Sequence, residues 1–437
     1  MNTAKSKIEG KMRWDKRVSP KGQQSQRGLL IDVVARGGLV TEGLPVNLAL
    51  AIDRSGSMKG DRIAAAKEAA RGVVARLRPE DRLSLVDFDN QVSVLFSGLA
   101  MNPPGRASAI AAINELFDRG MTNLAGGWFE AANAAASVIE ETAFENGHVV
   151  LLSDGHANQG LTEPVELIKH AAEMAKRGIT TSTVGIGEGF SPLQLDALAE
   201  GGRGRVHVAA TPDEIADVVI GEVLGTQAIV ARDLKLKLRW PRAVTVRHLG
   251  HFESVANDTA ITIALGDLAN SSKRSVPFLV DVPALPLGTE LGFEARVKAM
   301  DAATGEKLKA AKARTTLSIV SRHVAESAER DLRVAERIGR LWESKVAFNA
   351  MSLNESGDFD AAVGVVAESE SLLATFSEGT SLKDKVEANL TAMKARVSQQ
   401  WDGISKREAM FLSKKLARSE ADHRKKRDPD SDWSDHL

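Results

Sequence analysis

The sequence predicts a multidomain chain of α/β, β and α parts in succession: a doubly wound six-stranded domain, an antiparallel β-sandwich and a C-terminal helical region. Three observations predict it. Between Leu44 and Leu224 short apolar runs alternate with Ala-rich stretches of helical period, the pattern of a parallel sheet covered on both faces. After Thr226 the period changes to two, in short runs separated by turn residues, as in antiparallel sandwiches. From Val324 the spacing returns to that of helices.

Residues Lys11 to Val34 read as strand material, separated from the α/β stretch by Gly37-Gly38. They are expected to belong to the sandwich, so that the domain at 44–225 is an insertion between residues 1–37 and the sandwich at 226–322. Val46 to Ile52 is a core strand. Asp61 to Leu77 is a helix, with Ile63, Ala66, Ala70, Val73 and Leu77 on one face and Pro79 beyond its end. Leu83 to Phe88 and Val92 to Phe96 form a strand pair, because the gap between them is too short for a helix. Helices at 107–117 and 124–141 flank the loop Gly120-Met121-Thr122-Asn123. Strands at 149–153, 179–186 and 206–208 then alternate with helices at 164–177, 192–199 and 213–224.

In the sandwich, Leu234 to Leu238 reads Leu-Lys-Leu-Lys-Leu, which places Lys235 and Lys237 on the solvent face of a strand. Further strands are expected at 244–246, 259–265, 276–282 and 293–299. In the helical region, 323–420, the stripe Ala328, Leu332, Ala335, Ile338, Trp342 and Val346 marks a first helix. A second begins near Asp358 and a third runs from 382 to 401. The tail 421–437 is blocks of like charge without periodicity, the composition of a disordered segment.

The chemistry concentrates at the carboxyl ends of the predicted parallel strands, where ligands of open α/β sheets bind. Asp53-Arg54-Ser55-Gly56-Ser57 follows the first of them, Asp154 follows the apolar run His148 to Leu152, and Thr122 sits on the loop between. Carboxylate and hydroxyl oxygens gathered from separate loops outline a hard-cation site. Asp53-x-Ser55-x-Ser57, then Thr122, then Asp154 resembles the metal-ion-dependent adhesion site of von Willebrand factor A domains. Ile52 to Met58 and Ser153 to Asn158 are similar to the intracellular and bacterial branch of that family.

The resemblance implies that Ser55, Ser57 and Thr122 contact the cation, that Asp53 and Asp154 act through water, and that the ion is Mg²⁺, with Mn²⁺ able to replace it. It also implies a protein-binding adaptor, rather than an enzyme, that recognises an Asp or Glu of a protein partner such as a regulatory ATPase or kinase-system component. Met58, Trp128 and His156 are candidates for partner contact by their nearness in sequence to the site. Two further readings stand beside this one: a scaffold whose helical region carries the interaction, and a metal-dependent hydrolase with His156 as base.

Composition narrows the field. The chain has 437 residues with 57 basic and 58 acidic side chains, a formal charge of −1, so no global field draws it to nucleic acid or to a membrane. Cysteine is absent, which removes disulfides, thiolate nucleophiles and Cys-based metal sites. There is no phosphate loop of the Gly-x-x-x-x-Gly-Lys-Ser/Thr type, no His-Glu-x-x-His and no Gly-x-Ser-x-Gly. No apolar run reaches the ~18 residues of a membrane span, and the first residues lack the apolar segment of a secretory signal. The expected location is the cytoplasm.

Overall fold

The computed structural model describes residues 6–37, 45–154, 159–186, 190–209, 212–227, 229–250, 252, 254–401 and 409. The expectation for the tail, 421–437, lies outside the described residues. The chain opens with strands β1 (Lys7–Trp14), β2 (Val18–Pro20) and β3 (Ser25–Arg36), and then enters a separate compact unit within Thr41–Ala228. That unit runs β4 (Asn47–Asp53), α1 (Asp61–Arg76), β5 (Arg82–Phe88), β6 (Val92–Ala100), α2 (Pro103–Asn114) and α3 (Leu124–Glu141). It continues through β7 (Gly147–Ser153), α4 (Pro164–Lys176), β8 (Ile179–Ile186), α5 (Pro192–Gly201), β9 (Arg203–Ala209) and α6 (Pro212–Gln227).

Its strands form one sheet in the order β6-β5-β4-β7-β8-β9. All pairs are parallel except β5 with β6. Every residue of β4 is buried, which is why the strand reads as a continuous apolar run instead of an alternation. Leu48, Leu50 and Ile52 pack with Ala66, Ala70 and Val73 of α1, whereas Ala49 and Ala51 pack with Trp128, Ala131 and Ala132 of α3. Gly127 permits that second contact, because a Cβ there would lie 2.2 Å from the Phe88 ring.

On the same unit, α6 buries Glu222 against β7, β8 and β9. Its carboxylate accepts from Ser182 Oγ at 2.6 Å and meets His207 Nε2 at 2.7 Å, while His148 Nε2 lies 3.8 Å away. Burial works to raise the Glu222 pKa, yet His207, Arg205 and His148 together hold it well below the ordinary value. Burial pushes the His148 imidazole below its ordinary 6.5.

The chain then returns to the unit it left, comprising Met1–Val40 and Ile229–Asp402, with β10 (Ile229–Arg239), β11 (Thr245–His248), β12 (Ser254–Asn257), β13 (Ala260–Ala269), β14 (Lys273–Val282), β15 (Glu290–Asp301) and β16 (Ala311–Val320). Two sheets result, β1-β3-β14-β11 and β12-β13-β10-β15-β16-β2. They face each other across a core that includes Leu29, Ile31, Phe278 and Val280 from one and Leu236, Ile263, Phe293 and Val297 from the other. Central strand β3 lies between β1 and β14, so residues before the insertion complete a sheet with residues after it.

The helices α7 (Arg322–Ser327), α8 (Leu332–Glu355), α9 (Phe359–Ser377) and α10 (Lys383–Val397) come last. The helical stripe read from Ala328 is interrupted: Ala328 ends α7, and Asp331 starts α8 by accepting from the Val334 amide at 3.1 Å. Val334, Ile338, Leu341 and Phe376 pack on Leu30, Leu249 and Leu279, so the helices cover the outer side of the β3 sheet and share one unit with the sandwich. Among the described residues, no helix is long and apolar enough to cross a membrane.

The Glu222 cluster sets a pH dependence. Below pH 6.5 the unfolded chain takes up a proton on His148 that the folded chain refuses, so stability falls as pH falls. Glu222 adds stability above its ordinary 4.5 that is lost as pH drops toward its lower folded value. Thermal unfolding of His148→Gln from about pH 7 to about pH 5 should show a shallower loss of Tm than the unaltered chain, by at most about 1.4 kcal/mol per pH unit. Parallel curves would show that His148 carries no linkage.

Candidate metal centre

The site is built where β4 and β7 end side by side. Asp53, the last residue of β4, is fully buried, and its carboxylate accepts from the Ser55 amide at 2.8 Å and from Ser153 Oγ at 2.5 Å. Ser55 Oγ lies 3.0 Å from Ser57 Oγ, which in turn donates to Asp154 Oδ1 at 2.7 Å. A continuous hydrogen-bonded chain thus runs from Asp53 through the Ser55 amide and the two serine hydroxyls to Asp154, both carboxylates fully buried. The loop after β4 then closes into a single turn of 3₁₀ helix, Gly56–Met58.

The second loop is fastened to the first by backbone, the Gly56 amide donating to the Gly120 carbonyl at 3.0 Å. Gly120 has φ +77°, and a Cβ there would come within 3.0 Å of the Asp89 side chain, so only glycine fits. Thr122 follows on this loop, 4% exposed. Asn123 then caps α3 by accepting from the Gly126 amide at 3.0 Å. The structure gathers Asp53, Ser55, Ser57 and Asp154 into one hydrogen-bonded cluster and brings the Thr122 loop against it.

Electrostatics around the cluster are uneven. Burial raises the Asp53 pKa to about 6, against the hydrogen bonds from Ser153 and Ser55, with Asp154 adding to the rise. Asp154 has a cationic partner: Arg62, on the first turn of α1, places Nη1 2.5 Å from Asp154 Oδ2 and 3.1 Å from the Ser57 carbonyl. Behind the loops Arg54, nearly buried, pairs with Asp87 at 3.1 Å and Asp89 at 3.6 Å, and Arg119 pairs with Asp89 at 2.7 Å. Both guanidinium groups lie over the Phe117 ring, Arg54 at 5.9 Å and Arg119 at 5.7 Å from its centroid, and Phe117 is 56% exposed. Met121, beside Thr122, is also exposed.

The donor set suits a hard divalent cation: oxygens only, two buried carboxylates and neighbouring hydroxyls. The guanidinium already on Asp154 shows that the cluster accepts positive charge. Among the described residues there is no group of three or more His, Asp and Glu side chains placed to hold a metal, so hydroxyls have to supply part of any ligand set here.

Two partner-contact expectations are corrected. Met58 is fully buried among Ile52, Ile63 and other core residues of the α1 face, because the 3₁₀ turn directs it inward. Trp128 is fully buried on the α3 face and donates its indole N–H to Thr181 Oγ1 at 3.0 Å. Neither can touch a partner. His156 lies outside the described residues. Sequence reasoning missed Arg62, Ser153, and the Arg54, Asp87, Asp89 and Arg119 group; the only signal for Arg62 is its place at the start of the helix that follows the Ser55–Ser57 loop.

A doubly wound sheet with its polar cluster at the strand ends is the arrangement of α/β domains that take their ligands beyond the carboxyl ends of the strands. Residues 47–219 match the von Willebrand factor type A domain family, and this segment is such a domain. An uncharacterized protein of Synechocystis sp. is 30% identical over 201 residues, 46% of this chain and 46% of that protein. Human inter-alpha-trypsin inhibitor heavy chain H3 is 27% identical over 187 residues, 42% of this chain and 21% of that protein. The matched part thus spans less than half the length of these curated relatives. A solved structure described as von Willebrand factor type A from Catenulispora acidiphila has TM-score 0.67 at 19% identity, covering 96% of this chain and 98% of that one. The likeness in fold therefore extends well beyond residues 47–219.

The burial of Trp128 sets an expectation. Trp128→Ala should cost the α/β unit about 3–5 kcal/mol, whereas Phe117→Ala, at an exposed position, should change stability by less than about 0.5 kcal/mol. Denaturant unfolding of both variants measures the contrast, and equal losses would contradict the assignment of core and rim.

Proposed function

We propose that Asp53, Ser55, Ser57, Thr122 and Asp154 hold a divalent cation, Mg²⁺ with Mn²⁺ as substitute, in a metal-ion-dependent adhesion site that recruits a carboxylate of a protein partner. The observation that carries this reading is the unbroken hydrogen-bonded chain Asp53–Ser55–Ser57–Asp154 at the ends of two adjacent parallel strands. A bound ion supplies an electrophilic point that neutral hydroxyls leave undercompensated. The protein's own residues do the rest: Ser153 and the Ser55 amide fix the Asp53 carboxylate, and Gly120 holds the Thr122 loop in place.

The rim available to a partner is Phe117 and Met121, on the loop that carries Thr122. Phe117 has an apolar face steadied by two guanidinium groups, the type of aromatic anchor that concentrates binding energy. We assign binding rather than turnover to the site. Its buried carboxylates are already engaged, Asp53 by the Ser55 amide and Ser153, Asp154 by Ser57 and Arg62, which suits them to holding an ion in place. Arg62 acts as a competitor for Asp154, and at 39% side-chain exposure it is free to withdraw into solvent.

Calorimetric titration with Mg²⁺ and Mn²⁺ tests the reading. Asp53→Ala should abolish high-affinity binding with the sheet intact, and Ser55→Ala or Thr122→Ala should weaken it less, since water can replace one hydroxyl. Arg62→Ala should tighten the metal several-fold by removing a like charge. Unchanged titration of Asp53→Ala would remove the site. In the native complex, chelation or Asp154→Ala should weaken the partner by about 2–5 kcal/mol. A complex indifferent to both, yet lost on deleting residues 324–401, would move the interaction to the helices.

A further inference from the structure

The outer face of the β10-containing sheet carries a concentration of positive charge that the net charge of the chain conceals. On β10 the solvent-facing positions are Lys235, Lys237 and Arg239; the matching positions on β15 include Arg296 and Lys298, and on β16 Lys312 and Arg314. Register stacks like charges: Lys235 opposes Lys298, Lys237 opposes Arg296, and Arg296 opposes Lys312. Such directly opposed like charges destabilise a sheet.

Few acids relieve them. Glu294 pairs with Arg314 at 2.7 Å and is held below its ordinary pKa first by that bond, with Lys312 and Arg239 also bearing on it. Asp233 pairs with Lys235 at 2.9 Å. Among the described residues nothing comparable relieves the central row, Lys237, Arg296 and Lys312. At one end of the face lies a cleft of about 600 Å³ lined by Arg17, Arg239, Trp240, Phe293, Arg314 and Glu294, three guanidinium groups against one carboxylate. Trp240, 7% exposed, has a buried indole N–H with no hydrogen-bond partner among the described residues. The helices cover the opposite sheet of the sandwich, while the basic side chains of this one are exposed.

We propose that this face docks on an anionic phospholipid surface, with the Arg17, Arg239, Arg314 and Trp240 cleft receiving a headgroup phosphate. The chemistry selects this occupant. Protein interfaces are built around aromatic and apolar anchors and are depleted in lysine, and the exposed positions of the central row are wholly cationic. Unpaired nucleic acid requires exposed aromatic rings for stacking, whereas Trp240 and Phe293 are buried. A broad sheet face does not enter a duplex groove as a helix or two-stranded ribbon does. A diffuse plane of lipid phosphates answers a planar array of Lys and Arg with no need for shape matching. The inference does not depend on the metal reading, since it concerns the other unit of the chain.

The test is co-sedimentation of the full chain with phosphatidylcholine vesicles, with and without phosphatidylserine. The chain should sediment only with the anionic vesicles and be released as salt approaches ~1 M, where the Debye length is ~3 Å. Lys237→Glu with Lys312→Glu should lower vesicle binding at least tenfold while keeping or raising Tm, because each pair with Arg296 becomes attractive. The same charge change at Lys169 and Lys176, exposed on α4, should leave binding unchanged. Trp240→Phe should weaken binding to phosphatidylserine vesicles several-fold while leaving Tm unchanged. Equal sedimentation with neutral vesicles, or undiminished binding by the Lys237 and Lys312 variant, would overturn the proposal. So would capture of labelled single-stranded DNA at a salt concentration where anionic vesicles are not bound.

Discussion

The α/β unit depends on placing a carboxylate at the buried end of a strand with helices on both sides. Asp53 is fully buried, and an isolated buried carboxylate is costly unless hydrogen-bonded or paired with a cation. The surrounding structure meets that cost locally: Ser55 turns its amide back, Ser153 turns its hydroxyl across from β7, and the Ser55 and Ser57 hydroxyls carry the connection to Asp154. The glycine at 120 and the sharp turn after Ser55 are what that geometry demands of the backbone. Burial raises Asp53 to about pKa 6, and a cation beside the carboxylate would offset that cost.

Much of this was legible in the sequence because parallel strands covered on both faces write themselves as unbroken apolar runs. Val46 to Ile52 and Val149 to Leu152 needed no partner information, and the residue after each run is where the sheet ends. The oxygen donors could be assigned to strand-end loops for that reason. Arg62 could not, since a surface arginine on a first helical turn looks the same whether it faces water or a carboxylate. Met58 and Trp128 misled for a related reason. Nearness in sequence to the ligands says nothing about which side of the loop or helix a side chain takes, and both are turned into the core.

In the other unit, β16 was missed altogether. Its inward positions include Ala311, Ala313 and Thr315 beside Leu317 and Ile319, so the apolar alternation is faint until the partner strand β15 is known. The sandwich and the helices also looked like successive domains, although the amphipathic side of α8 is completed by Leu30 and Leu279 from distant parts of the chain. The charge balance hid the basic face in a comparable way. Strand alternation sorts Lys and Arg to one side of a sheet, and a sum over residues cannot register that sorting.

The interrupted path of the chain has a consequence for biosynthesis. Asp32 on β3 accepts a hydrogen bond from Ser275 on β14, 243 residues later, so the central strand of that sheet emerges with β1 on one side and long before its partner on the other side exists. At ~5–20 residues per second the delay is about 10–50 s, ample for the intervening α/β unit to close on itself. Throughout that interval Leu29, Leu30, Ile31 and Val33, all fully buried in the finished fold, have only β1 beside them and lack β14 and the facing sheet. A nascent chain carrying such a segment is a natural client for holding chaperones. Substitutions that slow completion of the second sheet would then show first as lower yield of folded protein, before any loss of equilibrium stability was detectable.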